Sequence, residues 1–418
     1  MSSEHGSGSL INVPETIYAI RHELHKHPEL AFEEHSTANL IAESLQSWGL
    51  KVHRGLAGTG VVGVLRSQVG TRSIGLRADM DALPIQEKNQ FAHASVHTGK
   101  MHACGHDGHC AMLLAAAQEL SRTRSFDGTV YFIFQPAEER DAGALQMIKD
   151  GLFERFPMDA IFGMHNWPGL PVGQFSLRPG AMMASDTEFR ITVSGKGGHA
   201  ALPQQCTDPI PALAHLAQAI PIITTKSLSP LDPVVLSITN IHTGTDDTLT
   251  VIPDQAQLGG IFRAFSRNAM TTIEARIRHL ALHVSQAFHC NVQVQCKSDY
   301  PPLINHVQET ELCVDVLRKL VGPDQVVTDA TPTMASEDFA HMLEHTPGCY
   351  VFIGNGASDQ HGLGLGLGHG HGHGDGPCVL HSASFDFNND ILALGATYWV
   401  RLVETYLPHT DHADNHQQ

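Results

Sequence analysis

Short apolar runs alternate with helical stretches in the first part of this chain, and this alternation limits the available folds more than any other feature. Four runs have the length and apolar content of buried strands, at residues 61–65, 73–77, 130–134 and 160–164. Two stretches between them, residues 111–120 and 144–152, are typical of helices. Because strands that alternate with helices form parallel sheets with both faces covered, the pattern predicts an α/β fold with a mainly parallel sheet.

The pattern changes near residue 186, where apolar residues begin to alternate with polar ones. From there the chain predicts the order β-α-β-β-α-β, which is typical of a ferredoxin-like α+β sandwich. The six predicted elements are residues 187–193, 208–220, 234–241, 256–265, 269–288 and 291–297. We therefore expect one domain built from residues 1–185 plus 299–418, with residues 186–298 inserted as a second domain.

Bulk composition excludes several classes of partner. The formal net charge of −17 argues against nucleic acid and anionic membranes, because both require clustered lysine and arginine side chains. No apolar run is long enough to cross a bilayer, and the first nine residues lack the basic and apolar regions of a secretory signal. The eight cysteines are scattered without paired spacings, so they do not describe a disulfide scaffold. These features predict a cytoplasmic protein.

The segment MHACGHDGH, residues 101–109, contains three histidines, a cysteine and an aspartate. In an extended loop the side chains of Cys104 and His106 reach the same point, and a thiolate beside an imidazole suits zinc or a similar divalent ion. The start of the following helix favours the thiolate over the thiol. The alternative is a loop that is rich in histidine by chance, in a chain with 29 histidines.

Polar segments follow three of the predicted strands at the point where each strand ends. ADMD follows the second strand, QPAEE the third and HNWP the fourth, at residues 78–81, 135–139 and 165–168. Ligands of open α/β sheets bind outside the carboxyl ends of the strands, so these segments are expected to meet the 101–109 segment at one rim. Each segment alone would be an ordinary polar loop, but together they predict a metal site.

A hydrolytic site with two metal ions needs several nitrogen, oxygen or sulfur ligands and a nearby base. The candidate ligands are Cys104, His106, one of the neighbours Glu138 and Glu139, His165, and one late histidine. If Glu139 is a ligand, Glu138 is left as general base and as acid toward the leaving amine. The alternative for this pair is two solvated charges after a strand.

Two further features have more than one interpretation. Asp81 is a candidate for orienting a ligand histidine through a hydrogen bond, but Asp79 or Asp81 is equally a candidate cap of a helix or turn. Residues 361–374, HGLGLGLGHGHGHG, predict a flexible surface loop because alternating glycine cannot pack. This loop is either a dispensable linker or a metal-binding element, and the second interpretation would make the chain a non-catalytic metal-binding protein.

Several motifs resemble those of the M20 peptidase family, in its branch of hippurate hydrolases, aminoacylases and auxin-conjugate hydrolases. They are HACGHDGH (102–109), QPAEE (135–139), GMHNWP (163–168), GKGGHA (195–200), VIPD (251–254), SEDF (336–339) and LHSASFDFN (380–388). The resemblance runs from about residue 14 to residue 405. It implies a metallopeptidase catalytic domain with a phosphorylase/hydrolase-like fold, and it implies that residues 186–298 form a lid and dimerisation domain.

The resemblance also implies roles for individual residues. Those that match the family's metal ligands are Cys104, His106, Glu139, His165 and His381. Glu138 matches the catalytic acid/base of the family. His199 matches a histidine that meets the substrate carbonyl, often from the partner subunit, although taken alone it is a surface histidine in a Gly-rich turn. Family members typically dimerise through the inserted domain, so a homodimer or a higher homo-oligomer is expected.

The implied reaction is hydrolysis of the amide bond of a small-molecule N-acyl amino acid, such as a hippurate-like substrate, by an amidohydrolase of class EC 3.5.1. Metal-bound hydroxide attacks the carbonyl and Glu138 moves the proton, with two divalent ions of zinc, manganese, cobalt or nickel as cofactors. Arg263 is a candidate for holding the substrate carboxylate, with a solvated strand arginine as the alternative. The alternative activity is a dipeptidase or carboxypeptidase with the same dinuclear centre. Departures from the family pattern, such as Arg140-Asp141 after QPAEE, concern substrate preference.

Overall fold

The computed structural model describes residues 9–245, 247–357 and 379–409. The chain divides into two compact units: the first comprises Met1–Gly180, Ile304–Ala330 and His341–Gln418, and the second comprises Ala181–Leu303 and Thr331–Ala340. The glycine-rich and histidine-rich loop predicted at residues 361–374 lies outside the described residues. Within the described ranges, no helix has both the length and the apolar character that a bilayer span requires.

The described residues form β-strands and α-helices along most of their length. The strands are β1 (Lys51–Leu56), β2 (Gly60–Ser67), β3 (Ser73–Asp79), β4 (Gly128–Gln135), β5 (Ala160–Gly169), β6 (Phe175–Ser176), β7 (Gly180–Met183), β8 (Asp186–Ser194), β9 (Gly198–His199), β10 (Val234–Thr243), β11 (Val251–Ile252), β12 (Gln255–Ala264), β13 (Asn291–Tyr300), β14 (Leu303–Asn305), β15 (Val326–Val327) and β16 (Gly348–Ala357). The α-helices are α1 (Glu15–Lys26), α2 (His35–Ser47), α3 (His106–Thr123), α4 (Gly143–Lys149), α5 (Leu152–Arg155), α6 (Pro209–Ala219), α7 (Ile223–Lys226), α8 (Arg267–Ala287), α9 (Val307–Val321), α10 (Phe339–Leu343) and α11 (Leu392–Tyr406).

An eight-stranded sheet lies at the centre of the first unit, in the order β1-β2-β4-β3-β5-β16-β6-β15. The pairs β3–β4, β3–β5 and β5–β16 are parallel. The pairs β1–β2 and β2–β4 are antiparallel. A tight turn joins β1 directly to β2, and a hairpin can only pair antiparallel strands. The predicted α/β fold with a mainly parallel sheet is confirmed.

The central strands are buried on both faces, which is why their sequences are continuous apolar runs. Leu76 of β3 lies opposite Phe132 of β4 and Phe162 of β5, and all three side chains are fully buried. The helix α3 packs against the helices α1, α2 and α11 and against the strand β3. The ends of β3 and β4 and the start of α3 are therefore held by the core of this unit.

Two element boundaries differ from the prediction, and both concern candidate ligands. The helix α3 begins at His106 rather than near residue 111, because Gly105 takes the left-handed conformation (φ 98°) that turns the chain directly into the helix. The strand β5 continues to Gly169 rather than ending before His165, because β16 pairs with it up to that point. His106 is thus the first residue of a helix, and His165 lies within a strand.

The second unit contains a four-stranded antiparallel sheet in the order β10-β12-β8-β13. The helices α6 and α8 pack on one face of this sheet. Alternate residues of β12, such as Leu258 and Phe262, are buried beneath the helices. This order of strands, with two helices on one face, is the ferredoxin-like arrangement that the alternating pattern predicts.

Candidate metal centre

The end of β3 contributes a buried carboxylate, Asp79, which is held by two bases. Arg77 donates through Nη1 to Asp79 Oδ2 at 2.9 Å, and the Nδ1 atom of His109 lies 2.6 Å from Asp79 Oδ1. Burial by itself raises the pKa of Asp79, but the charges of His106, His109 and Arg77 outweigh burial and hold that pKa well below its usual range. Asp79 is therefore ionised and orients the ring of His109.

Asp81 joins the segment after β3 to the segment after β4. Its Oδ1 and Oδ2 atoms accept from the backbone N–H groups of Glu138 and Glu139, each at 3.0 Å. The same carboxylate lies 3.3 Å from Nδ1 of His106, measured from Oδ1. Asp81 therefore sets the position of the glutamate pair relative to His106. A residue that only capped a turn would not need to contact both segments.

His106 presents one ring nitrogen to the centre. Its Nδ1 donates to the backbone carbonyl of Asp81 at 2.9 Å, and its buried Nε2 makes no hydrogen bond within the described residues. Burial lowers the pKa of His106, but Asp79 and Asp81 raise it more, to about 10. In the metal-free protein a proton therefore occupies Nε2, at the position where a metal ion would bind in its place.

His165 presents its Nε2 in the same way. Its Nδ1 lies 2.6 Å from the backbone carbonyl of Asn166, which can only accept, so Nδ1 carries the proton. Burial holds the pKa of His165 well below its usual range, so the ring is neutral. The remaining lone pair on Nε2 lies 3.4 Å from Sγ of Cys104.

Cys104 lies where these groups converge, and its environment opposes a thiolate. Burial and the nearby carboxylates of Glu139 and Glu138 raise the pKa of the thiol well above its usual value. The sequence predicts that the helix start favours the thiolate, but in the metal-free protein burial and the two carboxylates outweigh that effect. A divalent cation would reverse the balance, because a coordinated thiol is deprotonated.

Glu139 connects this cluster to the C-terminal part of the chain. Its Oε1 lies 3.2 Å from Nε2 of His381 and 3.9 Å from Nε2 of His106. The hydrogen bond with Glu139 raises the pKa of His381. The backbone of His381 has a strained φ of 65°, and its N–H donates to the carbonyl of Ala103 at 2.7 Å. The chain is thus bent at His381 to bring its ring to the Cys104 segment.

The predicted ligands form overlapping groups that share Cys104. The ligand atoms of Cys104, His106 and His165 all lie within 4.8 Å of one another, and so do those of Cys104, Glu139 and His381. Sulfur, imidazole nitrogen and carboxylate oxygen together suit borderline divalent ions such as zinc. A buried His106 Nε2 without a hydrogen-bond partner in the described residues also fits a metal ligand.

Two predicted residues lie in the second unit. His199 ends β9 and is exposed, and its Nδ1 accepts from the N–H of Ala201 at 3.1 Å. Arg263, on β12, donates through Nη1 to the carbonyl of Met334 at 2.6 Å and through Nη2 to Asp186 at 3.2 Å. Both Arg263 contacts are made within the second unit, so a substrate carboxylate would have to compete with them.

The structure adds two residues that the motifs did not identify individually. Asn166 follows the candidate ligand His165, and its N–H donates to Nε2 of His109 at 3.0 Å. Gly105 leaves room for Asn166, because a Cβ at Gly105 would lie 2.2 Å from the amide oxygen Oδ1. The importance of Gly105 could have been predicted from the sequence, since a glycine between two candidate ligands suggests a tight turn.

The remaining histidines of the segment have supporting positions. His109 lies between Asp79 and Asn166. His102 is buried with neither ring nitrogen hydrogen bonded in the described part of the chain, and burial lowers its pKa to about 4. Both are therefore buried beside the cluster, and the ring nitrogens of His109 are directed at Asp79 and Asn166.

The chain matches a known protein family. The family model of peptidase family M20/M25/M40 matches residues 75–404. The chain belongs to this family. The resemblance seen in the motifs is confirmed, and as an M20 member the chain is an enzyme of the amidohydrolase or peptidase class.

Relatives of this M20 enzyme include a hippurate hydrolase and a carboxypeptidase. Hippurate hydrolase of Campylobacter jejuni is 36% identical over 388 residues, which covers 93% of this chain and 96% of the relative. Thermostable carboxypeptidase 2 of Saccharolobus solfataricus is 35% identical over 391 residues, covering 92% and 93%. A solved Bacillus subtilis structure, described as a dinuclear metal binding peptidase from the M20 family, has a TM-score of 0.78 at 30% identity and covers 94% of this chain and 98% of its own.

Proposed function

We propose that this M20 enzyme hydrolyses the amide bond of N-acyl amino acids, releasing a carboxylate and a free amino acid. The observation that carries the proposal is the convergence of Cys104, His106 and His165 beside the adjacent Glu138 and Glu139. The similarity to a hippurate hydrolase supports this substrate class, because hippurate is the N-acyl amino acid benzoyl-glycine. Such substrates are small molecules, so this reaction does not require a surface that binds a macromolecule.

Two divalent metal ions are the proposed cofactors, and the related Bacillus subtilis peptidase is described as dinuclear metal binding. The proposed ligands are Cys104, His106, Glu139, His165 and His381. Zinc, manganese, cobalt and nickel all accept mixed sulfur, nitrogen and oxygen ligands, so availability selects among them. When bound, such ions supply Lewis-acid activation of the amide carbonyl and of water.

Glu138 is the proposed general acid/base. Its side chain is only 7% exposed, and Asp81 holds its backbone N–H, so the carboxylate is directed from a fixed backbone. In this role Glu138 accepts a proton from the attacking water and returns it to the leaving nitrogen, which would otherwise depart as a poor anionic leaving group. Its neighbour Glu139 is left to bind metal.

Residues 186–298, which lie within the second unit, are proposed to act as a lid and dimerisation domain. Because Nδ1 of His199 accepts a backbone N–H, the neutral ring carries its proton on Nε2. That tautomer can donate a hydrogen bond to the oxyanion that develops on the carbonyl. Arg263 remains the proposed group for the substrate carboxylate, and its role requires that it leave one of its present partners.

A carboxypeptidase or dipeptidase activity is the second candidate. It is favoured by the 35% identity to a thermostable carboxypeptidase. Both activities cleave an amide whose amino-acid product carries a free carboxylate, so the same residues serve both. A panel of N-benzoyl amino acids, N-acetyl amino acids and dipeptides, assayed with metal-free protein reloaded with each ion, separates the two by their kcat/KM values.

The test of the mechanism is Glu138→Gln, with the exposed Glu154→Gln as a matched control. Removing a general acid/base is expected to lower kcat by about 10²–10⁴-fold, while bound metal stays at the wild-type level because Glu138 is not a proposed ligand. Metal content is measured by elemental analysis of the purified variant. Wild-type turnover in Glu138→Gln would exclude the proposed role.

A further inference from the structure

Glu34 is a buried carboxylate whose position is not explained by its own helix. Its side chain has no exposed surface and stands at the N-cap of α2 without capping that helix. The first turn of α2 is capped instead by Glu29, whose carboxylate accepts from the N–H groups of Ser36 and Thr37 at 3.0 and 2.9 Å. Because Glu29 accepts the free N–H groups of this turn, the side chain of Glu34 can point inward.

The inward contacts of Glu34 lead to the turn that precedes the two glutamates. Its Oε1 accepts from the backbone N–H of Ala137 at 2.9 Å, and its Oε2 accepts from Oγ1 of Thr59 at 2.7 Å. The N–H groups of the two residues after Ala137 are accepted by Asp81. Three consecutive backbone N–H groups are therefore held by two buried carboxylates, Glu34 and Asp81.

The turn needs these acceptors because its backbone is strained. Ala137 has a φ of 55°, in the left-handed region that alanine rarely adopts. Its carbonyl accepts from the N–H of Gly143, where an added Cβ would lie 1.8 Å from the carbonyl oxygen of Pro136. The turn is thus closed tightly on itself, and a buried N–H left without an acceptor would favour its opening.

We propose that Glu34 is a positioning residue, which holds residues 137–139 in the conformation that directs the carboxylates of Glu138 and Glu139. Its effect on turnover rests on the function proposed above, whereas the anchoring of the turn does not. Burial raises the pKa of Glu34 to about 7, because a charged carboxylate loses its hydration at this depth. An apolar residue would avoid that cost but could not accept the Ala137 N–H.

The test compares Glu34→Leu, which removes both acceptors, with Glu34→Gln, whose amide oxygen can still accept from Ala137. The expected result for Glu34→Leu is a kcat lower by about 10–100-fold with little change in KM, as for other groups that orient a ligand. Glu34→Gln should restore most of the loss, because its amide can also donate to Thr59. The control is Glu33→Gln, an exposed neighbour whose partner is Lys100.

Amide hydrogen exchange of the metal-free protein gives a readout that does not depend on activity. The peptide that contains residues 137–139 should exchange faster in Glu34→Leu and at the wild-type rate in Glu34→Gln. If Glu34→Leu does not fold, Thr59→Val keeps the carboxylate but removes one anchor, and it should change both readouts in the same direction by less. Wild-type exchange in the folded Glu34→Leu variant, or equal defects in the Leu and Gln variants, would overturn the proposal. Faster exchange in a protein whose wild type cleaves no amide would support the anchoring and reject the proposed function.

Discussion

The substitution Asp81→Asn tests how much the hydrogen bonds of this carboxylate contribute to the stability of the protein. The two carboxylate oxygens accept the N–H groups of Glu138 and Glu139 at 3.0 Å, and an asparagine can offer only one acceptor. Its NH₂ group would face the other N–H, so one hydrogen bond to a charged acceptor is lost. Such a bond contributes about 1.5–3 kcal/mol, which is the expected loss in the free energy of unfolding of the metal-free protein.

Metal binding should weaken in the same variant, because the backbone that carries Glu139 and the ring of His106 are both held by Asp81. Groups that orient ligands in this way affect metal affinity by about 10–100-fold, or roughly 1.4–2.8 kcal/mol. Urea denaturation in the presence of a chelator measures the first quantity, and competition with a zinc-binding dye measures the second. The exposed Asp324→Asn is a suitable control.

The outcomes for Asp81→Asn separate the two roles of the residue. A loss of stability with unchanged zinc affinity would mean that Asp81 only caps the turn. Stability within about 0.5 kcal/mol of the wild type, together with unchanged affinity, would refute the argument, since that is the range of an ordinary surface substitution.

The remaining predictions concern the buried structure around α3. Burial lowers the pKa of His25, but Asp107 raises it more, to about 9, above its value of 6.5 in the unfolded chain. The stability that His25 contributes is therefore complete below pH 6.5 and is lost as pH rises through 9, by at most roughly 3 kcal/mol. Melting temperatures of the wild type should fall over this range more steeply than those of His25→Gln, and parallel curves would contradict the assignment. Gly108→Ala should cost about 1–3 kcal/mol, because the new Cβ would lie 2.2 Å from the ring of Phe387. Gly395→Ala should cost less, because its Cβ meets the flexible end of a methionine, and equal costs in denaturant unfolding would show that ring packing does not decide the difference.

Much of the fold could be predicted because strands that are buried on both faces are apolar throughout. The runs that became β2, β3, β4 and β5 were recognisable for this reason. The start of α3 was not, because polar residues such as His106 and Asp107 are buried there only through contacts with distant parts of the chain. The left-handed conformation of Gly105, from which the helix starts early, occurs where Asn166 leaves no room for a Cβ, and this contact joins distant parts of the chain.

Less of the candidate site could be predicted, because its supporting contacts leave no periodic pattern. The segments that contain Cys104, Glu139 and His165 were identified from residue types and from their places after strands. The acceptor role of Glu34 was not, and neither were the two N–H groups that Asp81 accepts, since a carboxylate can accept a backbone N–H wherever the chain passes. The resemblance to a family supplied His381, which spacing alone could not select.

The sequence by itself determined which elements form and which residue types are available for metal chemistry, because hydrophobic periodicity and donor chemistry are local properties of the chain. Only the tertiary structure decided which side chains meet. Cys104 became the shared member of two ligand groups because a bent backbone at His381 and a turn held by Asp81 bring Glu139 and His381 to it. Such convergence depends on strand order and on hydrogen bonds between distant segments, and these are fixed only when the core is packed.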